Sequence, residues 1–158
     1  MANVKAIPPG YTTVTPSITF KDSARAIEFY KNALGATERA RFPGPDGKIM
    51  HAEIQIGNAV VMLNDEIMGC QSAQSLGGSP ISFYLYAENA DALFQKAISA
   101  GAKQLGPMTD MFWGDRVGLI EDPFGYKWNI ATHVKDMTPE EMKKGQKAFM
   151  EKQMAGAK

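Results

Sequence analysis

Two helix-stopping Gly-Ala pairs, Gly35-Ala36 and Gly101-Ala102, stand 66 residues apart, and two hairpin glycines, Gly57 and Gly125, stand 68 apart. So small a drift across a whole unit means that one order of elements is written twice. In the first copy, residues 13–20 alternate polar and apolar, as a half-buried strand does. Asp22 and Ser23 offer helix caps, and Ala26, Ile27, Phe29, Tyr30, Ala33 and Leu34 recur at helical spacing before Gly35. Residues 39–42 read as a strand ended by the turn Pro43-Gly44-Pro45-Asp46-Gly47. Residues 51–56 alternate again, and Gly57-Asn58 turns the chain back into 59–63. The second copy repeats this. It has a strand at 81–86, a helix from Glu88 or Asn89 through Leu93, Ala97 and Ile98, and a short strand at 103–105. An aromatic loop at 111–115, a strand at 116–121, the turn Asp122-Pro123-Phe124-Gly125 and a return at 126–132 complete it.

The spacing therefore predicts an α+β domain over 1–136, built from two tandem βαβββ units at about 11–65 and 80–134, with a linker of flexible composition at 65–80. One face of each sheet lies under its helix, and pairing the units curls the bare faces into a mixed sheet with a central cleft. Period two sends Ile18, Phe20, Ile54, Ile56, Phe83, Leu85, Trp128 and Ile130 toward the helices. Thr15, Ser17, His51, Glu53, Gln55, Met62, Ser82, Tyr84, Tyr86, Lys127 and Asn129 fall on the cleft side.

Composition narrows the partners. Lys+Arg and Asp+Glu are both 17 in 158 residues, so no basic field draws nucleic acid or an anionic membrane. No apolar run approaches the roughly 18 residues of a membrane span, and residues 1–10 lack a signal-peptide core, which points to the cytoplasm. A single cysteine, Cys70, rules out an internal disulfide and a thiolate metal cage. What remains is a soluble cytoplasmic protein that handles something small and not strongly charged.

Several segments carry a resemblance. Residues 22–36, DSARAIEFYKNALGA, resemble the first helix of glyoxalase-type proteins, and 121–132, EDPFGYKWNIAT, resemble their last hairpin. PDGKIMHAEIQIGNAVVMLND, the QSLGGSPIS linker and FWGDRVG are similar to a bacterial PhnB-like subgroup. Over about residues 11–134 the chain is thus identified as resembling the glyoxalase/bleomycin-resistance (vicinal oxygen chelate, VOC) superfamily. The resemblance implies a C2 homodimer and a cleft-floor divalent metal held by His and Glu, acting as a Lewis acid on vicinal substrate oxygens. The family's ligand positions map onto Thr15, Met62, Ser82 and Asn129, give or take a residue for the first two. Two hydroxyls, a thioether and an amide do not hold a transition metal tightly, so no cofactor is expected, a divalent metal at an atypical site being the alternative.

His51 and Glu53, two apart on one strand, form either a general-base pair or a hydrogen-bonded pair at the cleft rim. Trp113 and Arg116 at the cleft mouth suit a planar or anionic ligand; the alternative is that Trp113 or Phe112 packs a subunit contact and Asp115 pairs with Arg116 within the turn. Gln55 and Asn129 are further candidates to bind a ligand in the cleft, and Tyr84 and Tyr86 either hydrogen-bond that ligand or simply fill the cleft. Beyond the domain, residues 137–158 form a C-terminal helix announced by the capping box Thr138-Pro139-Glu140-Glu141, with a thin stripe of Met142, Phe149 and Met150 and a costly Gly145. Three functions fit: a metal-independent small-molecule binder with a cleft shared in a homodimer; an isomerase, lyase or dioxygenase using an atypical metal or metal-free acid–base chemistry; and a structural dimer.

Overall fold

A computed structural model describes residues 4–156. The elements run β1 (Ser17–Phe20), α1 (Ser23–Leu34), β2 (Thr37–Pro43), β3 (Ile49–Ile56), β4 (Ala59–Asp65), α2 (Ala73–Leu76), β5 (Ser82–Tyr86), α3 (Ala90–Ser99), β6 (Lys103–Asp110), β7 (Asp115–Glu121), β8 (Lys127–His133) and α4 (Pro139–Gly156). The strands form two sheets of identical plan, β1-β4-β3-β2 and β5-β8-β7-β6, in which the first strand of each unit pairs parallel with the last and the rest are antiparallel. The duplication read from the glycine spacing is therefore real in three dimensions.

Local chemistry sets the helix ends. The Asp22 carboxylate accepts the Arg25 N–H at 2.9 Å and Asn89 accepts that of Ala92 at 2.9 Å, giving both units a side-chain N-cap. Gly35 closes α1 in the left-handed region at φ 68°. Phe94 of α3 lies so close over β7 that a Cβ on Gly118 would sit 2.6 Å from its ring. Glycine at 118 is thus a packing requirement of the second unit.

The two units share one core. Phe20, Phe29 and Tyr30 of the first unit stack edge-on or tilted against Phe124, Tyr126 and Trp128 of the second, at ring separations of 5.4–6.3 Å. The Tyr30 hydroxyl donates to the buried Asp122 carboxylate at 2.6 Å, and Trp128 Nε1 donates to the same oxygen at 3.0 Å. The other Asp122 oxygen accepts the N–H groups of Phe124 and Tyr126, so this one side chain forms the β7–β8 turn and fastens α1 to it. Tyr126 donates to the Thr19 carbonyl at 2.7 Å and accepts the Ala73 N–H at 3.1 Å.

Two sequence expectations change. In one chain the curled sheet is two separate sheets: among the described residues no strand of one pairs with a strand of the other, and their helix-covered sides meet in the common core. The linker is ordered. Glu66 accepts both the N–H and the hydroxyl of Ser72, which caps α2, and Ala73 is buried beneath Tyr126. Polar, glycine-rich composition hid these local caps. Among the described residues no helix is long and apolar enough to cross a membrane.

Candidate functional site

The open face of each sheet, turned away from the core, carries its own polar cluster. On the first, β3 alternates as expected: Ala52, Ile54 and Ile56 are buried, while His51, Glu53 and Gln55 stand on the open side. His51 Nε2 lies 3.1 Å from Glu53 Oε1. The neighbouring Tyr11 phenol, together with His51, holds the Glu53 carboxyl below its usual range. Arg39 sits over the Tyr11 ring at 5.1 Å, and Phe42 stacks on His51 with centroids 6.1 Å apart. Tyr11 precedes the first strand and has no periodic signal; the sequence reading missed it. Gln55 turns back to the Gly57 carbonyl at 3.1 Å.

On the second sheet the centre is Asp115, the first residue of β7 and only 2% exposed. Its Oδ2 accepts the hydroxyls of Tyr84 (3.0 Å) and Tyr86 (2.9 Å) and the indole N–H of Trp113 (3.1 Å). Its Oδ1 accepts from His133 Nδ1 at 2.8 Å, and His133 Nε2 reaches Asp136 at 3.0 Å. Burial pushes the Asp115 carboxyl up, but the four hydrogen bonds outweigh it and hold the group below the carboxylate norm. Burial and Asp115 in turn push the Tyr84 phenol up to about 12. His133 is raised, first by Asp115 and then by Asp136. The Asp115 carboxylate is thus not paired with Arg116 within the turn, and its partner His133 lies 18 residues away in sequence. The β7–β8 register, which sets Asp115 opposite His133, joins them.

That register also corrects the placement of Arg116. It lies on the opposite side of β7 from Asp115, where its guanidinium grips Asp91 of α3 through two bonds of 2.7 Å and Asp110 through one of 3.0 Å. Taking 111–115 as one loop concealed that the strand begins at 115, and period two then sends 116 to the helix side. Nor does a single chain bring His51 and Glu53 to Tyr84, Tyr86 and Trp113, since the two clusters belong to different sheets on either side of one core.

The four positions that the resemblance marks for metal ligands do not fit a metal. Asn129 Nδ2 points to Ser82 Oγ at 3.5 Å and the Phe83 carbonyl at 3.4 Å, and Thr15 donates to the Thr12 carbonyl at 3.1 Å. Met62 offers a thioether opposite Ser17 and Glu53. Among the described residues no group of three His, Cys, Asp or Glu side chains converges on one point. Between the units, a groove of about 670 Å³ runs from the β3–β4 hairpin to β5, with Leu34, Leu93 and Trp128 at its walls and Tyr84 and Tyr86 at its rim.

The C-terminal helix is braced on the same region. Thr138 and Glu141 cap each other reciprocally, the Thr138 N–H donating to Glu141 at 2.9 Å and the Glu141 N–H to Thr138 Oγ1 at 3.2 Å. Gly145 rides directly on Phe112, where an added Cβ would meet the Phe112 Cβ at 2.6 Å, and Phe149 lies 5.8 Å from the Phe112 ring. Phe112 in turn packs edge-on to Trp113 at 5.0 Å.

Comparison with known proteins agrees with this architecture. A family model described as Glyoxalase/Bleomycin resistance protein/Dioxygenase superfamily matches residues 12–130. The uncharacterised protein Rv0887c of Mycobacterium tuberculosis is 40% identical over 134 residues, covering 82% of this chain and 79% of its own. In structure, the chain is similar to TioX from Micromonospora sp. ML1 (TM-score 0.63, 24% identity, 80% of this chain and 100% of that one). It is also similar to a PhnB protein from Bacillus cereus (TM-score 0.60, 15% identity, 78% and 100%).

Proposed function

This chain belongs to the Glyoxalase/Bleomycin resistance protein/Dioxygenase superfamily, and on that premise we propose that it binds a small organic molecule in a cleft completed by a second copy of itself. One observation carries the reading: two polar clusters occupy open faces on opposite sides of a shared core. A C2 partner that lays its first open face over this chain's second would bring His51, Glu53 and Gln55 opposite Tyr84, Tyr86 and Trp113. Unpaired edges at β1 and β5 and the exposed side chains of Ile81 (63%) and Tyr86 (62%) are what such a partner would cover. Because Thr15, Met62, Ser82 and Asn129 do not make a metal site, binding and orientation would come from hydrogen bonds and aromatic contact.

A second reading, metal-free acid–base catalysis, is favoured by the His51–Glu53 contact, in which a carboxylate held ionised steadies an imidazole. Native mass spectrometry tests the binding reading in one experiment. The expected result is a species of twice 17.2 kDa, free of stoichiometric zinc or nickel after desalting, that retains a small ligand or takes one up from a compound panel. A monomer at every concentration would refute the shared cleft, and one transition-metal ion per chain lost on His51→Ala would move the assignment to an enzyme.

A further inference from the structure

The arrangement around Asp115 narrows the class of ligand. Three aspartates are buried, and two of them have a structural occupation. Asp65 accepts the N–H groups of Ser23 and Ile49, and Asp122 accepts those of Phe124 and Tyr126. Asp115 is the most buried of the three, yet its hydrogen-bond partners are all side chains of the open face: Tyr84, Tyr86, Trp113 and His133. A carboxylate is costly to bury, and this one secures no turn with its oxygens. What it does is orient.

Both phenol O–H groups and the indole N–H point inward to one oxygen, so their donor capacity is used up. The face then offers a ligand aromatic rings and the phenol oxygens' lone pairs, which attract positive charge. Tyr84 and Tyr86 stand with ring centroids 5.1 Å apart at 43°, both hydroxyls on the same carboxylate oxygen. Fixed charge points the same way. His133 is flanked by Asp115 and Asp136, so the trio stays net negative even when the imidazole is protonated. Arg116 is turned to the far side and neutralised by Asp91 and Asp110, and Lys135 is paired with Glu141 at 3.0 Å. Lys127 stands at the other end of β8 from His133, about 20 Å away at the rise of a strand.

We infer that Tyr84, Tyr86 and Trp113, organised by Asp115, form a binding site for an organic cation, an alkylated ammonium group carried by the small molecule. The inference deepens the binding reading above and rests on it, but does not depend on the pairing of two copies.

The chain has two tryptophans, so its two indole N–H resonances, told apart by Trp113→Phe, report the site and the core separately. Choline chloride is titrated into the full-length protein, with 3,3-dimethyl-1-butanol as the uncharged isostere. Choline is expected to move the Trp113 signal saturably and leave that of Trp128 in place, with the alcohol roughly tenfold weaker. Tyr86 is 62% exposed, so Tyr86→Leu leaves the core intact, as the Trp128 signal will report, and should weaken choline roughly fivefold. Tyr84→Leu should do the same. Equal binding of alcohol and choline, no response at Trp113, or unchanged affinity in both leucine variants each overturns the cation site. If compounds of another class move Trp113 while choline does not, the cation class falls and the binding reading stands; if the whole panel leaves Trp113 unmoved, both fall.

Discussion

Tyr30→Phe removes one oxygen from the place where the two units are fastened. The ring stays, with its contacts to Phe20, Phe29 and Trp128 at 6.0, 5.5 and 5.5 Å. The Asp122 carboxylate loses the shortest of its four hydrogen bonds and keeps Trp128 Nε1 and two backbone N–H groups. A hydrogen bond to a charged group contributes about 1.5–3 kcal/mol, and one to a neutral group about 0.5–1.5 kcal/mol. Burial raises the Asp122 carboxyl above its ordinary value, against the hydrogen bonds that pull it down. Its stability contribution is therefore largest at low pH and is lost as pH rises through the folded-state value. Removing a donor that favours the ionised form raises that value further. The substitution should thus cost about 1.5–3 kcal/mol at pH 8 and about 0.5–1.5 kcal/mol once Asp122 is protonated. Urea unfolding of both proteins at the two pH values, with unchanged m, measures this. A cost under about 0.5 kcal/mol at pH 8, or one that grows toward acid, would refute the assignment of Asp122 as a hydrogen-bonded clasp.

His133 should titrate above its ordinary 6.5, because Asp115 and Asp136 favour its charged form. The stability it contributes is present in full below 6.5 and is lost as pH rises through the raised folded value; an imidazole NMR titration checks this, and Asp115→Asn should bring the midpoint down. Gly145→Ala should gain about 1 kcal/mol of intrinsic helix preference and yet loosen α4, because the new methyl collides with Phe112 near its backbone. Faster amide exchange across 142–150 is the expected result, and slower exchange there would show that the helix does not dock through that glycine.

The sequence told most where backbone chemistry is local. Helix caps at Asp22, Asn89 and Thr138 and the alternation of β3 were legible because each depends on residues a few positions away. Arg116 was misplaced because residues 115–120 contain no clean alternation, and one position of strand start decides which side it takes. Asp115 and His133 stand 18 residues apart and meet only through strand register, and Tyr11 reaches Glu53 from outside any element. Such long-range polar convergence leaves no mark on periodicity. Gly145 read as a weakness in a helix, whereas it is the contact point; propensity describes a helix alone, and this one is braced on Phe112.

The bonds of Tyr30 and Tyr126 span 92 and 107 residues of sequence, and they have a consequence for folding. A duplicated architecture invites the picture of two independent foldons, each able to form while the other is still a coil. Here the aromatic seam belongs to neither half: a severed first unit would expose Phe20, Phe29 and Tyr30, and a severed second unit Phe124 and Trp128. Each repeat completes its own sheet and helix but borrows the lid of its core from the other. The chain should accordingly melt as one cooperative body, its contact order set by the seam, and each half would reach a native packing only after meeting its counterpart.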